Sequence, residues 1–247
     1  MAKERKQSTQ ANENEGKPQV DWSFVERCLD TAPLRMILLH GPPGVGKTYA
    51  GYKKGRISRG VYSITLTDET PAAELRGMWV PQKDGYVWQD GPVVSAMREG
   101  ARVVVNEIGQ ASPDVLAFFL ACCESRESAR LTLPTGEHLV PAEGFNLVAT
   151  SNEAPASLPL ALRDRFDCTI EIDAPHPEAL ALLSEPLREA ALRTFALEPE
   201  RAVSIRSWLK LEELSGVMDL SLACLAVFGS ERGRKIHEAL TMRQLSF

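Results

Sequence analysis

The chain has 247 residues, 44% apolar and 25% charged, the balance of a folded domain with ample material for a core. Its net charge of −5 excludes a global field that would draw it to nucleic acid or an anionic membrane. No apolar run reaches membrane-spanning length and the N-terminus is polar, so no membrane span or signal segment is expected; five cysteines without C-x-x-C spacing fit buried free thiols and a cytoplasmic location.

Residues 1–19 are almost all Lys, Glu, Gln, Asn and Ser, which predicts a disordered tail. Val20 to Leu29 reads as a short helix. Leu34-Arg-Met-Ile-Leu-Leu39 predicts a buried strand leading into the stretch Gly41-Pro42-Pro43-Gly44-Val45-Gly46-Lys47-Thr48. A helix beginning at Lys47 is expected to be short, because Gly51 and Gly55 each cost about 1 kcal/mol relative to Ala. The basic cluster Lys53, Lys54, Arg56 and Arg59 reads as a solvated face near a bound phosphate, and no aromatics interleave to make it a nucleic-acid surface.

Val61 to Leu66 alternates as a strand. Thr70-Pro71 is expected to cap a helix that Gly77 stops. Met78–Val80 and Tyr86–Trp88 around Lys83-Asp84-Gly85 predict a hairpin spliced into that helix, which resumes at Asp90-Gly91-Pro92 and closes at Gly100. Trp79, Tyr86 and Trp88 either project away from the core or pack on their own hairpin. Arg102–Val105 is an apolar strand running into Asn106-Glu107. Ser112-Pro113 caps a helix expected to reach about Ser125, residues 131–140 form a second hairpin, and Phe145–Thr150 is a buried strand ending at Ser151-Asn152. A helical turn at Pro159–Phe166 leads to a last strand, Cys168–Ile172. Strands alternating with helices argue a parallel sheet covered on both faces. After Ala174-Pro-His-Pro177 the pattern is helical only, at about 178–195, 205–215, 218–228 and 231–241.

The chemistry follows from the loop at 41–48. A glycine-rich turn between strand and helix aims backbone N–H groups inward; Lys47 adds a full positive charge and the Thr48 hydroxyl an oxygen ligand for Mg²⁺. This pattern predicts a nucleoside triphosphate site. Ligands of parallel sheets sit at the carboxyl ends of strands, which places Glu107 to polarise an attacking water and Asn106 beside the metal. Asp is usual at the latter position, and Asn lacks its negative charge. Two outcomes stand open: weaker Mg²⁺–nucleotide binding with hydrolysis intact, or hydrolysis so slow that nucleotide acts as an assembly switch. Asn152 is a candidate γ-phosphate or water contact. Arg163 and Arg165 either pair within the chain, beside Asp164 and Asp167, or reach the nucleotide of a neighbouring subunit.

GPPGVGKT at 41–48, LTDETPAAELRG at 66–77, DGPVVSAMREG at 90–100, VVVNEIGQASPDVL at 103–116, LTLPTGEHLVPAEGFNLVATSNE at 131–153 and LPLALRDRFD at 158–167, in this order, resemble the MoxR-like, dynein-related AAA+ ATPases. The resemblance implies an α/β P-loop NTPase core with a parallel five-stranded sheet between helices over residues 20–173, then a small α-helical lid over 174–247. It matches Gly41 to Thr48, with Tyr49 following, to the Walker A loop, Asn106-Glu107 to Walker B, and Asn152 to the sensor. Arg163 and Arg165 fall in the arginine-finger region, with Arg165 favoured, and Arg206 within Ser204–Trp208 matches the second sensor. The hairpins resemble inserts that face a ring pore or a partner. The resemblance further implies ATP and Mg²⁺, a homo-oligomer, as a hexamer, and a protein client reached through a von Willebrand factor A domain protein. A nucleotide-gated scaffold with little turnover and a nucleic-acid-linked NTPase motor are the alternatives; the acidic balance counts against the motor.

Overall fold

The computed structural model describes residues 21–124, 129–197 and 203–244. The tail expected over 1–19, Val20, and the expected helix end at Ser125 lie outside the described residues. α1 (Trp22–Asp30) is capped by Asp21, whose carboxylate accepts from Phe24 N at 2.7 Å. β1 (Met36–His40) runs into the glycine loop, and α2 (Lys47–Lys53) is as short as its glycines dictate. β2 (Val61–Thr65) precedes α3 (Ala72–Arg76), which Pro71 rather than Thr70 caps. Thr70 instead turns its hydroxyl back to accept from Thr67 N at 2.9 Å, so the Ser/Thr preference for local backbone bonding stiffens the loop and not the helix.

The interrupted helix is present. β3 (Gly77–Gln82) and β4 (Gly85–Asp90) form the hairpin between α3 and α4 (Pro92–Glu99), with Trp79 opposite Trp88. The two indoles meet edge-on at 5.7 Å. Trp79 and Tyr86 stay 47% and 70% exposed, whereas Trp88 donates Nε1 to Asp90 at 2.7 Å and packs against the main core, an outcome that neither reading of these rings gave. β5 (Arg102–Asn106) follows, then α5 (Pro113–Cys122), capped by Ser112. The second hairpin reduces to β6 (Leu131–Thr132) and β7 (His138–Leu139), pinned by buried Leu131, Leu133 and Leu139. β8 (Asn146–Ser151), α6 (Leu160–Arg163) and β9 (Cys168–Glu171) complete the α/β region.

The main sheet has the order β2-β5-β8-β1-β9, parallel throughout. Alternate strand residues feed two cores. Leu38, Val103, Val105, Leu147 and Ala149 join α3, α4 and α5 on one face; Ile37, Leu39, Val148 and Ile170 meet α1 and α2 on the other. Both faces are therefore sealed, and polar chemistry is confined to the strand ends.

The remaining described elements are α7 (Pro177–Ala181), α8 (Glu185–Leu197), α9 (Ile205–Ser215), α10 (Leu220–Phe228) and α11 (Ser230–Gln244), around a core of their own centred on fully buried Trp208. The single helix expected over 178–195 is two. Pro186 lacks an N–H and its ring crowds the preceding turn, so α8 restarts at Glu185 with proline in its first turn. All five cysteines are free, as expected. No helix among the described residues is long and apolar enough to cross a membrane.

Candidate functional site

The carboxyl ends of β1, β5 and β8 lie side by side, and the side chains that follow them converge. The loop after β1 is held in a shape that side chains would obstruct. A Cβ on Gly41 would sit 2.0 Å from Ile172 O, and one on Gly44, at φ +76°, would sit 2.3 Å from Ser204 Cβ. The loop is also bonded to the helical region: Gly44 O accepts from Ile205 N at 3.2 Å, and Val45 O accepts from His176 N at 2.8 Å.

Lys47 is 6% exposed. Its three ammonium protons go to Gly41 O at 2.8 Å, Pro42 O at 2.7 Å and Asn152 Oδ1 at 2.9 Å. Burial pulls its pKa down to about 8, opposed by the Glu107 charge and assisted by Arg206. The Asn152 amide is used at both ends, because its Nδ2 donates to Glu107 Oε1 at 2.7 Å and Oε2 at 2.9 Å. A continuous chain Lys47–Asn152–Glu107 thus closes across the mouth of the loop. Among the described residues Glu107 is the sole non-glycine at positive φ (+57°), where the strand breaks into a 3₁₀ turn over Ile108–Gln110. Such conformations persist where the surroundings over-determine them.

Asn106 is buried, and its Oδ1 accepts from Thr48 Oγ1 at 2.9 Å and Thr150 Oγ1 at 3.3 Å. The amide oxygen is therefore turned towards Thr48. Two hard oxygens this close suit Mg²⁺ in ligand type, with one negative charge fewer than an Asp would give. Beside them opens a cavity of about 570 Å³ whose wall includes Gly44, Gly46, Lys47, Thr48, Glu107 and Asn152. Pro43, Tyr49 and Arg206 also line it; Gly41, Pro42 and Val45 shape the loop from behind, and Asn106 reaches it through Thr48.

Not every candidate residue converges there. Arg163 and Arg165 do not line the cavity. Arg165 is tied within the chain, donating Nη1 to Ala161 O at 2.6 Å and bonding Glu124 through Nε at 2.9 Å and through Nη2. Its partner is neither Asp164 nor Asp167; the Asp167 carboxylate instead accepts from Arg35 N and Met36 N. The basic cluster at 53–59 is also absent from the cavity wall: Lys54 bonds Glu26 and Glu178, Arg56 donates to Ala32 O and Arg59 to Glu99 O. These three cations are spent on protein acceptors beyond the far end of α2, so the expected face near a bound phosphate is corrected. His176 and Glu178, on the cavity wall, carry no motif signal in the sequence.

The sequence matches the AAA domain family of the dynein-related subfamily over residues 36–166, from the first strand of the sheet to the turn before the last. The chain belongs to this family. Within it the chain is similar to Protein NorQ of Paracoccus denitrificans, 31% identical over 213 residues, which covers 83% of this chain and 76% of that protein. It is 33% identical to the Denitrification regulatory protein NirQ of Pseudomonas aeruginosa over 156 residues, 60% of this chain and 59% of that one. Protein CbbQ of Hydrogenophilus thermoluteolus is 27% identical over 147 residues, 58% of this chain and 54% of that one. The chain is thus a MoxR-like AAA+ ATPase family member with a P-loop NTPase sheet and C-terminal helices.

Proposed function

We propose that this AAA+ chain binds ATP with Mg²⁺ in the cavity beside Lys47 and hydrolyses it between the subunits of a homo-oligomeric ring, a hexamer, to remodel or activate a protein partner. The observation that carries the reading is the hydrogen-bonded chain Lys47–Asn152–Glu107 beside the glycine loop. In it, Lys47 exchanges its carbonyl partners for phosphate oxygens, the Gly44 and Gly46 N–H groups donate to the remaining phosphate oxygens, and Thr48 with Asn106 holds the metal side. Bound Mg²⁺ supplies charge neutralisation for the phosphates. Once Lys47 and Asn152 turn to the γ-phosphate, Glu107 loses the amide that occupies both its oxygens and is free to orient a water. Arg206 contributes in cis from the cavity wall. Arg165, or Arg163 beside it, serves the neighbouring subunit's nucleotide from outside this chain's own cavity. The partner is a protein, delivered by a von Willebrand factor A domain protein, and the site of action is the cytoplasm.

A second reading is a nucleotide-gated scaffold with negligible turnover. The neutral oxygen of Asn106 at the metal side favours it, because a carboxylate there would add charge beside the dication. Phosphate release by the purified chain at raised concentration, before and after Asn106→Asp, separates the two. Turnover by the unaltered chain supports the ATPase; turnover only after Asn106→Asp supports the scaffold.

A further inference from the structure

Thr150, 1% exposed near the end of β8, joins Thr48 and Glu107 in the cavity wall. Its hydroxyl accepts from Glu107 N at 3.4 Å and donates to Asn106 Oδ1 at 3.3 Å. Asn106 Nδ2 in turn donates to Ile64 O of β2 at 3.5 Å, and its Oδ1 also receives the Thr48 proton at 2.9 Å. The two outer members of this network are backbone groups with fixed roles: an N–H can only donate and a carbonyl can only accept. The Glu107 N–H uses the Thr150 oxygen as an acceptor, so the Thr150 proton is directed to its other neighbour, Asn106. The Ile64 carbonyl requires a donor, so the Asn106 amide nitrogen turns towards β2 and its oxygen towards Thr48. Thr48 then spends its proton on Asn106, which leaves its own lone pairs for the cavity that it lines.

From this geometry we infer that Thr150 is a positioning residue for the metal side: it fixes the Asn106 amide with its oxygen towards Thr48, so that a neutral side chain presents an acceptor there as reliably as a carboxylate would. The inference rests on the Mg²⁺–nucleotide reading of the cavity and concerns how an asparagine can serve it. An amide has two unlike ends. Flipped, Asn106 would offer Thr48 an N–H in place of an oxygen, occupy a hydroxyl lone pair and turn the Thr48 proton towards the cation. An aspartate has acceptors at both ends, so either rotamer would take the Thr48 proton and Thr150 would have nothing to select. The Thr150 hydroxyl therefore matters to the metal side only while residue 106 is asparagine, and that dependence separates orientation from packing.

The test is a double-mutant cycle read by calorimetry. ATP is titrated into the full chain in saturating Mg²⁺ and in chelator without metal, and the ratio of the two affinities is the metal-linked gain. Thr150→Val, nearly isosteric, should lower that gain by about tenfold, the scale of one buried hydrogen bond, whereas Thr150→Ser should hold it within about threefold. In the Asn106→Asp background the same Thr150→Val change should alter the gain by no more than about twofold. Glu107 N loses its partner equally in both backgrounds, so that loss cancels in the comparison. Should the valine variant not fold, Thr150→Cys, of similar volume and with a weak S–H donor, carries the same comparison. An equal loss in the two backgrounds, or no loss in either, would overturn the inference while leaving the nucleotide site intact. Failure of the unaltered chain to bind ATP, or binding with no gain from Mg²⁺, would instead bring down the Mg²⁺–nucleotide reading and this inference with it.

Discussion

Two buried cations stand at opposite ends of the same sheet, and they teach different things. Arg102, 1% exposed, enters at the amino end of β5. All five guanidinium protons are used: Nε to Asn146 Oδ1 at 2.7 Å, Nη1 to Gly51 O at 3.0 Å and Lys54 O at 2.5 Å, and Nη2 to Leu29 O at 3.3 Å and Arg56 O at 3.1 Å. No carboxylate is among these partners. The Leu29 and Gly51 carbonyls belong to the last turns of α1 and α2, where orphan carbonyls carry the negative ends of the helix dipoles. Burial and the nearby Arg56 charge lower the Arg102 pKa to about 10, still far above neutrality. Lys47, at the carboxyl end, is equally satisfied, with three protons and three acceptors. The difference lies in what the partners are fixed to. Those of Arg102 are locked by helix ends and a strand, whereas Lys47 shares Asn152 with Glu107 and borders about 570 Å³ of open space. One cation fastens the fold; for the other we propose an exchange of partners.

The comparison can be broken at either end. The largest effect on binding is expected from Lys47→Ala, which should weaken ATP by at least about 100-fold in calorimetry while the protein still unfolds cooperatively. Glu107→Gln should leave ATP affinity within a fewfold and reduce phosphate release by about 100-fold or more; retained turnover would remove Glu107 from its role. Arg102→Met should do the reverse of Lys47→Ala. It leaves several buried acceptors without donors and should cost on the order of 3 kcal/mol of stability in denaturant unfolding. ATP affinity of the fraction that folds should be unchanged, and a binding defect without a stability defect would contradict the division.

A smaller effect sharpens it. The Lys47 pKa is about 8 in the folded chain against 10.5 as a reference, so between these values the unfolded state binds more protons. Stability contributed through this group therefore rises with pH from about 8 to 10.5. The rise should vanish in Lys47→Met and flatten when ATP saturates the site.

These two cations also mark how far the sequence could be read. Lys47 announced itself, because glycines, lysine and threonine at fixed spacing between a strand and a helix have a single physical purpose. Asn106, Glu107 and Asn152 were legible as polar residues ending apolar strands, and the parallel sheet as β-runs alternating with helices. Arg102 looked like the mere start of a strand. Its partners are mostly backbone carbonyls 46 to 73 residues away, which carry no residue-type signal. The same holds for Glu124 beside Arg165, 41 residues distant, and for the Tyr49–Glu178 bond, where only the fold brings α7 against α2. Local patterns specified elements and the phosphate loop; contacts between elements specified which charges are spent and which are free.

The most direct test of the account is calorimetry of Mg²⁺–ATP binding near pH 8.5 in buffers of different ionisation enthalpy. If Lys47 trades carbonyls for phosphate, its pKa rises on binding, and the complex should take up on the order of half a proton or more, an uptake lost in Lys47→Met. Tight binding with no proton uptake, or no binding of Mg²⁺–ATP at all, would contradict it.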